Sequence, residues 1–358
     1  MSGRTNSEGR QVTIYDIAKE AGVSASTVSR AMSNSSRVSE GTKQKIMGLV
    51  EKYNFRPNAL AQGLAEARSR LIGIVVADIR NPYYAELFFY CEKAAQEAGY
   101  TAMVFNQPQE GGIAEQIRLL EKMLTLQMEA IILIDGMVAR LISDVRYVDE
   151  VNRIMDYIPV VITGKLDGTR CRVVRVDHMK TMDILVDHLV SLGHREIALV
   201  GGYMDVLSTY EKAMHYRQVL RRRGIAFRPD LVSEEGDYDE EGGYRLMSRM
   251  LDKGISMTAV IAVNDLVATG VMKCLKERKY RIPEDISVVG CDNTSIAKMI
   301  FPRLTSVDYD YEKMGKMLVE TALAAARGEE GEMLKIIDPV LVWGGSSGKM
   351  TETVRKVD

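Results

Sequence analysis

Seven consecutive residues, Ser24-Ala25-Ser26-Thr27-Val28-Ser29-Arg30, hold four hydroxyls and one guanidinium. Hydroxyls suit phosphate oxygens, and a guanidinium matches the paired acceptors on a guanine edge. A second set of polar residues follows short apolar runs further along the chain: Asn81-Pro82-Tyr83-Tyr84, Asp135, Asp177, Gly201-Gly202, Asn264-Asp265 and Asp292-Asn293. Amides and carboxylates of this kind bind hydroxyls, while tyrosine faces cover rings, so together they suit a small polar molecule. Other chemistries find no motif. The chain has no GxGxxG after its first apolar run, no GxxxxGK[ST] and no HExxH, so no cofactor is expected and enzyme chemistry has little support. His178, His188, His194 and His215 show no metal-ligand spacing; they read as surface or hydrogen-bonded structural residues, and no metal site is expected. Cys91, Cys171, Cys274 and Cys291 are scattered without a CxxC pair, which predicts reduced, buried thiols.

The elements that must position the first set are short helices. Thr13-Ile14-Tyr15-Asp16 has the form of a capping box, and Ile14, Ile17, Ala18 and Ala21 follow at helical spacing. Gly22 suits a left-handed helix end, after which Ser24 can cap a second helix through Val28 toward Met32, with Val23 and Val28 placed as a hydrophobic staple. Helix, tight turn, helix is the helix-turn-helix. If the second helix enters a major groove, Ala25, Ser26, Ser29 and Arg30 face base edges, Val28 and Ala31 face the core, and Ser24, Thr27 and Ser29 suit phosphates. Taken singly, the serines fit a solvated helix surface equally well. A third helix is expected over 42–54, with Ile46, Leu49, Val50 and Tyr53 on one face. Beyond it, Pro57 opens a two-turn segment with Leu60 and Leu64 one turn apart. So short a helix needs DNA and a partner copy to order it, and Leu64 could then wedge into a minor-groove step. Without the neighbouring helix-turn-helix, Leu64 would read as a linker residue packing on the body.

From Leu71 the texture changes to apolar strands alternating with helix-length segments: 71–76, 101–105, 130–134, 160–163, 196–200, 258–263 and 287–290, with a helical stretch over 85–98. That rhythm predicts parallel sheets covered by helices, with ligands at the strands' carboxyl ends. At 358 residues two or three domains are expected. No apolar run approaches the roughly 20 residues of a membrane span, and 1–11 lack the apolar core of a secretory signal, so a cytoplasmic protein is expected. The net charge of −2 is segregated: residues 1–70 carry 11 Lys+Arg against 6 Asp+Glu, a net of +5, which leaves −7 for the rest. A basic head on an acidic body offers one end to a polyanion.

These residues resemble the lactose/galactose repressor (LacI/GalR) family over almost the whole chain. The resemblance is carried by the run from Thr13 to Arg30, by Arg37-Val38-Ser39 and Arg56-Pro57-Asn58-Ala59-Leu60-Ala61, and in the body by Asn81-Pro82-Tyr83-Tyr84, Ser191-Leu192-Gly193-His194-Arg195-Glu196, Asn264-Asp265-Leu266-Val267-Ala268 and Pro283-Glu284-Asp285-Ile286-Ser287-Val288-Val289-Gly290-Cys291-Asp292. It implies a three-helix head over 1–56, a hinge helix and linker over 57–70, a two-lobed periplasmic-binding-protein-like α/β core over 71–347 and a tail over 348–358. The lobes would be 71–192 plus 308–337 and 193–307 plus 338–347, with crossings near Leu192, Val307 and Asp338. Matching positions put Thr13, Ser24, Ala25, Ser26, Thr27, Ser29, Arg30, Asn58, Ala61 and Leu64 at double-stranded DNA. They put Asn81, Tyr83, Tyr84, Asp177, Lys212, Tyr238, Asn264, Asp292 and Tyr309 around a sugar-like effector. Two departures stand out: Lys212-Ala213-Met214-His215-Tyr216 where sugar- and purine-binding members carry an arginine, and Trp343-Gly344-Gly345-Ser346 after the last strand. A lysine cannot give planar bidentate bonds, which points to a different ligand or to weakened control.

The resemblance further implies a homodimer on a pseudo-palindromic operator, without the tetramerisation coil of some relatives because the tail has no leucine heptads. Ligand would shift the angle between lobes and so pair or separate the hinges. Inducer and corepressor action both fit. Three alternatives are a transporter-type solute-binding protein, a doubly wound enzyme using Asp177 or Asp292, and a regulator of this family that has lost ligand control.

Overall fold

The computed structural model describes residues 12–32, 37–55, 69–107 and 112–350, which fall into two compact units, the chain dividing between Arg70 and Leu71. In the first, α1 (Ile14–Ala21), α2 (Ala25–Met32) and α3 (Glu40–Lys52) pack on one another around Val12, Ile17, Ala18, Ala21, Val28, Ala31 and Ile46. The capping box forms: the Thr13 amide donates to Asp16 Oδ2 at 2.8 Å and the Asp16 amide to Thr13 Oγ1 at 3.4 Å. Gly22 ends α1 at φ +74°, a conformation that costs any residue with a Cβ, and the Val23 amide closes back on the Ala18 carbonyl. Lys52 and the Tyr53 hydroxyl both reach Glu20, at 2.7 and 2.6 Å, and hold the end of α3 on α1. Helix α3 starts and ends two residues earlier than its apolar spacing suggests, because Ser39 supplies the extended N-cap backbone. The expected hinge helix, with Asn58, Ala61 and Leu64, lies outside the described residues.

The second unit alternates strands and helices: β1 (Leu71–Val76), α4 (Pro82–Glu97), β2 (Thr101–Asn106), α5 (Gly112–Thr125), β3 (Ala130–Ile134), α6 (Val145–Met155), β4 (Val160–Ile162), β5 (Arg172–Val176), α7 (His178–Ser191), β6 (Ile197–Val200), α8 (Leu207–Arg222), α9 (Glu240–Asp252), β7 (Ala259–Ala262), α10 (Asp265–Glu277), β8 (Ser287–Asp292), α11 (Ser295–Met299), β9 (Thr305–Asp308), α12 (Tyr311–Ala326), β10 (Leu334–Ile337) and β11 (Val340–Val342). Two sheets result, ordered β10-β5-β4-β3-β1-β2 and β11-β9-β8-β7-β6. All pairings are parallel except β11 with β9. In β1 and β3 alternate residues join different cores, Ile72, Ile74 and Ile132 on one face and Val75, Ile131 and Leu133 on the other. Burial on both faces is why these strands read as unbroken apolar runs.

The chain passes between the sheets three times: at Asp177, between Asp308 and Tyr311, and at Asp338. The first differs from the expected crossing near Leu192. Helix α7 packs on α8 and β11, burying Thr181, Met182, Leu185, Val186 and Leu189 with the second sheet. Its residues therefore belong to the second lobe, a choice set by which apolar surface α7 meets rather than by its own amphipathic pattern. Helix α4 starts at Pro82, three residues before the stretch expected from periodicity, with Asn81 as N-cap and proline in the first turn, where its missing N–H costs nothing. All four cysteines are free and buried. No helix among the described residues is long and apolar enough to cross a membrane.

Candidate functional site

In the head, α2 turns Val28 and Ala31 inward and exposes Ser26 and Arg30; Ala25, Thr27 and Ser29 are half-buried at its sides. The Ser24 hydroxyl accepts the Thr27 amide at 3.2 Å and lies 2.8 Å from Ser26 Oγ and 2.9 Å from Thr27 Oγ1. Three hydroxyls thus gather at the positive end of a helix, an arrangement suited to a phosphate. Thr13 also bonds Asp16 Oδ2 through its hydroxyl at 2.7 Å, so its oxygen first serves the helix cap. Tyr15, 74% exposed on α1 within the same unit, was not among the residues the sequence reading set at DNA.

In the body, Tyr83, Tyr84, Lys212, Tyr238, Asp292 and Tyr309 act on one another across the cleft between the two sheets, whereas Asn81 and Asp177 show only local partners, and the predicted set divides by duty. Asn81 accepts the Tyr83 amide at 3.1 Å, Asp177 the Lys180 amide at 2.9 Å, and Asn264 the Val267 amide at 2.8 Å while donating to the Tyr238 carbonyl at 2.9 Å. These three cap helices. The Tyr238 hydroxyl meets Thr209 Oγ1 at 2.7 Å and accepts the Tyr203 amide at 3.2 Å. Lys212 is buried and donates to the Val263 carbonyl at 2.8 Å.

The remaining four form the aromatic and acidic lining. The rings of Tyr83 and Tyr84 meet edge-on at 5.0 Å, and Tyr83 meets Tyr311 at 5.9 Å. Asp292 is buried at φ +96°; burial first, and then the neighbouring Asp265, hold its carboxyl well above the usual range, against the pull of Lys212. Tyr309 is buried with its hydroxyl unpartnered. Asp135, which the sequence marked among the polar residues after strands but not among the matching positions, belongs with them, as do His178 and Tyr311, which it did not place there. Asp135, at φ +57° after β3, is pushed up by burial, while the Tyr84 phenol, Lys212 and the Thr163 hydroxyl pull it down. His178 is not the satisfied histidine expected: its Nδ1 is buried without a partner, its ring lies 6.1 Å from that of Tyr309, and burial together with Lys212 and Arg175 keeps it neutral. Tyr311 is the third, its hydroxyl also buried and unpartnered. His178 stands next to Asp177 and Tyr311 close after Tyr309, each just after a strand, and that was the available signal.

Direct contacts join the lobes around this lining. Arg175 on β5 reaches both carboxylate oxygens of Glu211 on α8 at 2.5 Å. Glu86 on α4 accepts the Ser295 amide of α11 at 2.6 Å. Arg140 pairs with Asp205, whose carbonyl accepts the Leu141 amide at 2.7 Å. An open hollow beside that last contact, lined by Leu141, Ile142, Val145, Val148, Lys165 and Asp167, has none of the unpartnered buried groups found in the cleft.

Residues 13–58 match the family described as bacterial regulatory proteins, lacI family, and residues 186–347 match the periplasmic binding protein-like domain. Catabolite control protein A of Priestia megaterium is 32% identical over 298 residues, 83% of this chain and 87% of that protein. The chain belongs to the lacI family. It is a sequence-specific DNA-binding transcription regulator, not an enzyme. Among solved structures, the lac repressor dimer bound to operator and the anti-inducer ONPF is similar at a TM-score of 0.83 and 26% identity, covering 94% of this chain and 99% of that one. The transcriptional regulator CelR–cellobiose complex is similar at 0.69 and 25%, covering 94% and 100%. This lacI-family chain thus shares its fold with regulators solved on DNA and on a sugar.

Proposed function

We propose that this regulator is a cytoplasmic homodimeric repressor that binds a pseudo-palindromic operator through α2 and is controlled by a small polar effector held in the cleft between its two sheets. The observation that carries the effector reading is the convergence of three buried, unpartnered polar atoms, Tyr309 Oη, Tyr311 Oη and His178 Nδ1, beside Asp135 and Asp292. Buried polar atoms are ordinarily hydrogen-bonded, so three orphans in one cleft call for a ligand or its waters. In the head, Arg30 has the reach for base reading and the Ser24 cluster suits phosphate. The relatives' dimer and sugar complexes support both halves of this reading.

The dimer face follows from exposed apolar side chains. Met103 and Val104 on edge strand β2, Phe89 on α4, and Met299 and Phe301 around the end of α11 are all exposed. Phe89 lies one turn beyond Glu86, Met299 one turn beyond Ser295, and the Glu86–Ser295 bond brings these helices together. Large apolar groups gathered on one side mark an association surface.

Enrichment of bound sequences from a random duplex library tests the proposal. A pseudo-palindromic site, bound less well by Arg30→Ala, is expected; a library without enrichment at low salt would sink the operator reading. Operator affinity unmoved by a broad metabolite panel would favour loss of ligand control, a reading for which Lys212's engagement with the Val263 carbonyl speaks.

A further inference from the structure

Resting on that reading of the cleft, we propose that the effector is a cation: a small polyhydroxylated primary amine of the amino-sugar type, its ammonium seated between Asp292 and Asp135 and its hydroxyls on Tyr309, Tyr311 and His178.

Four carboxylates from four elements act on this space: Glu86 of α4, Asp135 after β3, Asp265 of α10 and Asp292 of β8. Only Lys212 opposes them without a carboxylate partner of its own, because Arg175 is held by both oxygens of Glu211. Asp265 has internal donors, the Thr294 amide and hydroxyl at 2.7 and 3.0 Å and Ser306 Oγ at 2.7 Å. Glu86 holds the Ser295 amide. Asp135 takes the Tyr84 phenol and the Thr163 hydroxyl, which leaves Asp292, with Asp135 acting beside it, as the acceptor with most capacity to spare, and Lys212 already directs its ammonium at the Val263 carbonyl.

A second, independent observation points to a ligand there. Tyr309 is 1% exposed and Tyr311 5%, yet neither hydroxyl has a partner. Both sit among the acids: Asp292 lies close enough to act on each phenol, and Asp265 and Glu86 act on Tyr311. A neutral sugar would satisfy these hydroxyls but bring the acids no counter-charge, leaving them protonated. An anionic ligand such as a sugar phosphate would add to the repulsion. An ammonium brings three donors and a positive charge to the acceptors, and the faces of Tyr83 and Tyr84 accommodate a cation.

The test is titration calorimetry of the full chain with D-glucosamine and D-galactosamine, their N-acetyl derivatives and the parent hexoses. N-acetylation removes the charge and keeps the ring. At least one amine is expected to bind tenfold or more tighter than its N-acetyl counterpart, with the ratio falling below threefold in Asp292→Asn. Titrations of the unaltered protein in two buffers of different ionisation enthalpy keep the test independent of that variant's folding: the amine is expected to release protons, since it favours the ionised forms of Asp292 and Asp135 beside Asp265, Glu86, Lys212, Cys291 and the tyrosines. Equal or tighter binding of a neutral sugar, without proton release, overturns the cation and leaves the effector cleft standing. Binding of no panel member overturns the amino-sugar assignment, and a neutral metabolite found by the wider screen would still uphold the effector reading.

Discussion

The buried carboxyl of Asp265 sets a pH dependence on the stability of the larger unit. It is 1% exposed, and burial, only partly offset by its bonds from Ser306 and Thr294, raises it from 3.8 to about 7. A folded-state value above the unfolded one means that the native protein binds the extra proton, so this group's contribution is full below pH 3.8 and is lost as pH rises through 7. Between pH 5 and pH 8 the loss is roughly 2–3 kcal/mol from this one carboxyl. Asp265→Asn keeps an acceptor for the Thr294 amide but cannot ionise, and it also removes a like charge that holds Asp292 up. Urea unfolding at half-unit pH steps, followed by circular dichroism, gives the apparent stability at each pH. The unaltered chain is expected to lose stability across this window and the variant to lose roughly 2–3 kcal/mol less. Parallel curves for the two proteins would refute the argument, because they would mean that Asp265 is already ionised in the fold at pH 5.

Ser346 is wholly buried, accepts the Thr305 amide at 2.8 Å and donates to the Val288 carbonyl at 2.6 Å, so it stitches the chain after β11 to β8 and β9. Ser346→Ala strands both backbone groups and should cost about 2–4 kcal/mol, read as a lower urea midpoint at constant slope. The Arg175–Glu211 pair is about one-fifth exposed, between surface and buried pairs in worth. Arg175→Met is therefore expected to weaken lobe closure by about 1–3 kcal/mol, measured as a larger radius of gyration in solution scattering; an unchanged radius counts against the pair as a closure element. Phe301, 84% exposed, is placed on the proposed dimer face. Phe301→Glu should raise the dimer dissociation constant tenfold or more in sedimentation equilibrium, and no change would move the interface elsewhere.

What was legible in the sequence was local or doubly buried. Thr13, Asp16 and Gly22 act within a few residues of one another, so the first helix and its turn could be read from residue types alone. Strands β1, β3 and β7 are buried on both faces and show as apolar runs. Strand β5 was passed over because arginines stand at two of its five positions, Arg172 and Arg175, and the second points at the other lobe. Strands β10 and β11 are short and partly exposed, with Lys335 in the first, so neither has the pattern of a core strand. Within the cleft, the matching positions located the right region but did not separate side chains that cap helices from those with atoms to spare. That separation depends on neighbours distant in sequence, such as the Val263 carbonyl that takes Lys212, 51 residues away, or Tyr83, whose ring meets Tyr311.

The division makes a prediction of its own. Asn264 bonds the Val267 amide and the Tyr238 carbonyl, both inside the protein, so Asn264→Ala leaves them without partners and should cost about 2–4 kcal/mol of stability along with any ligand affinity. Tyr309 has no oxygen or nitrogen partner for its hydroxyl, only the weakly bonding Cys291 thiol beside it, and removing such a poorly satisfied buried polar atom is neutral or stabilising. Tyr309→Phe should therefore melt at or above the temperature of the unaltered chain while binding the effector less well. Thermal melts with and without ligand separate the two cases: the first variant falls in both, the second only in the ligand-induced rise. If Tyr309→Phe were instead destabilised as much as Asn264→Ala, its hydroxyl would have a structural partner, and the case for a ligand at that atom would fall with it.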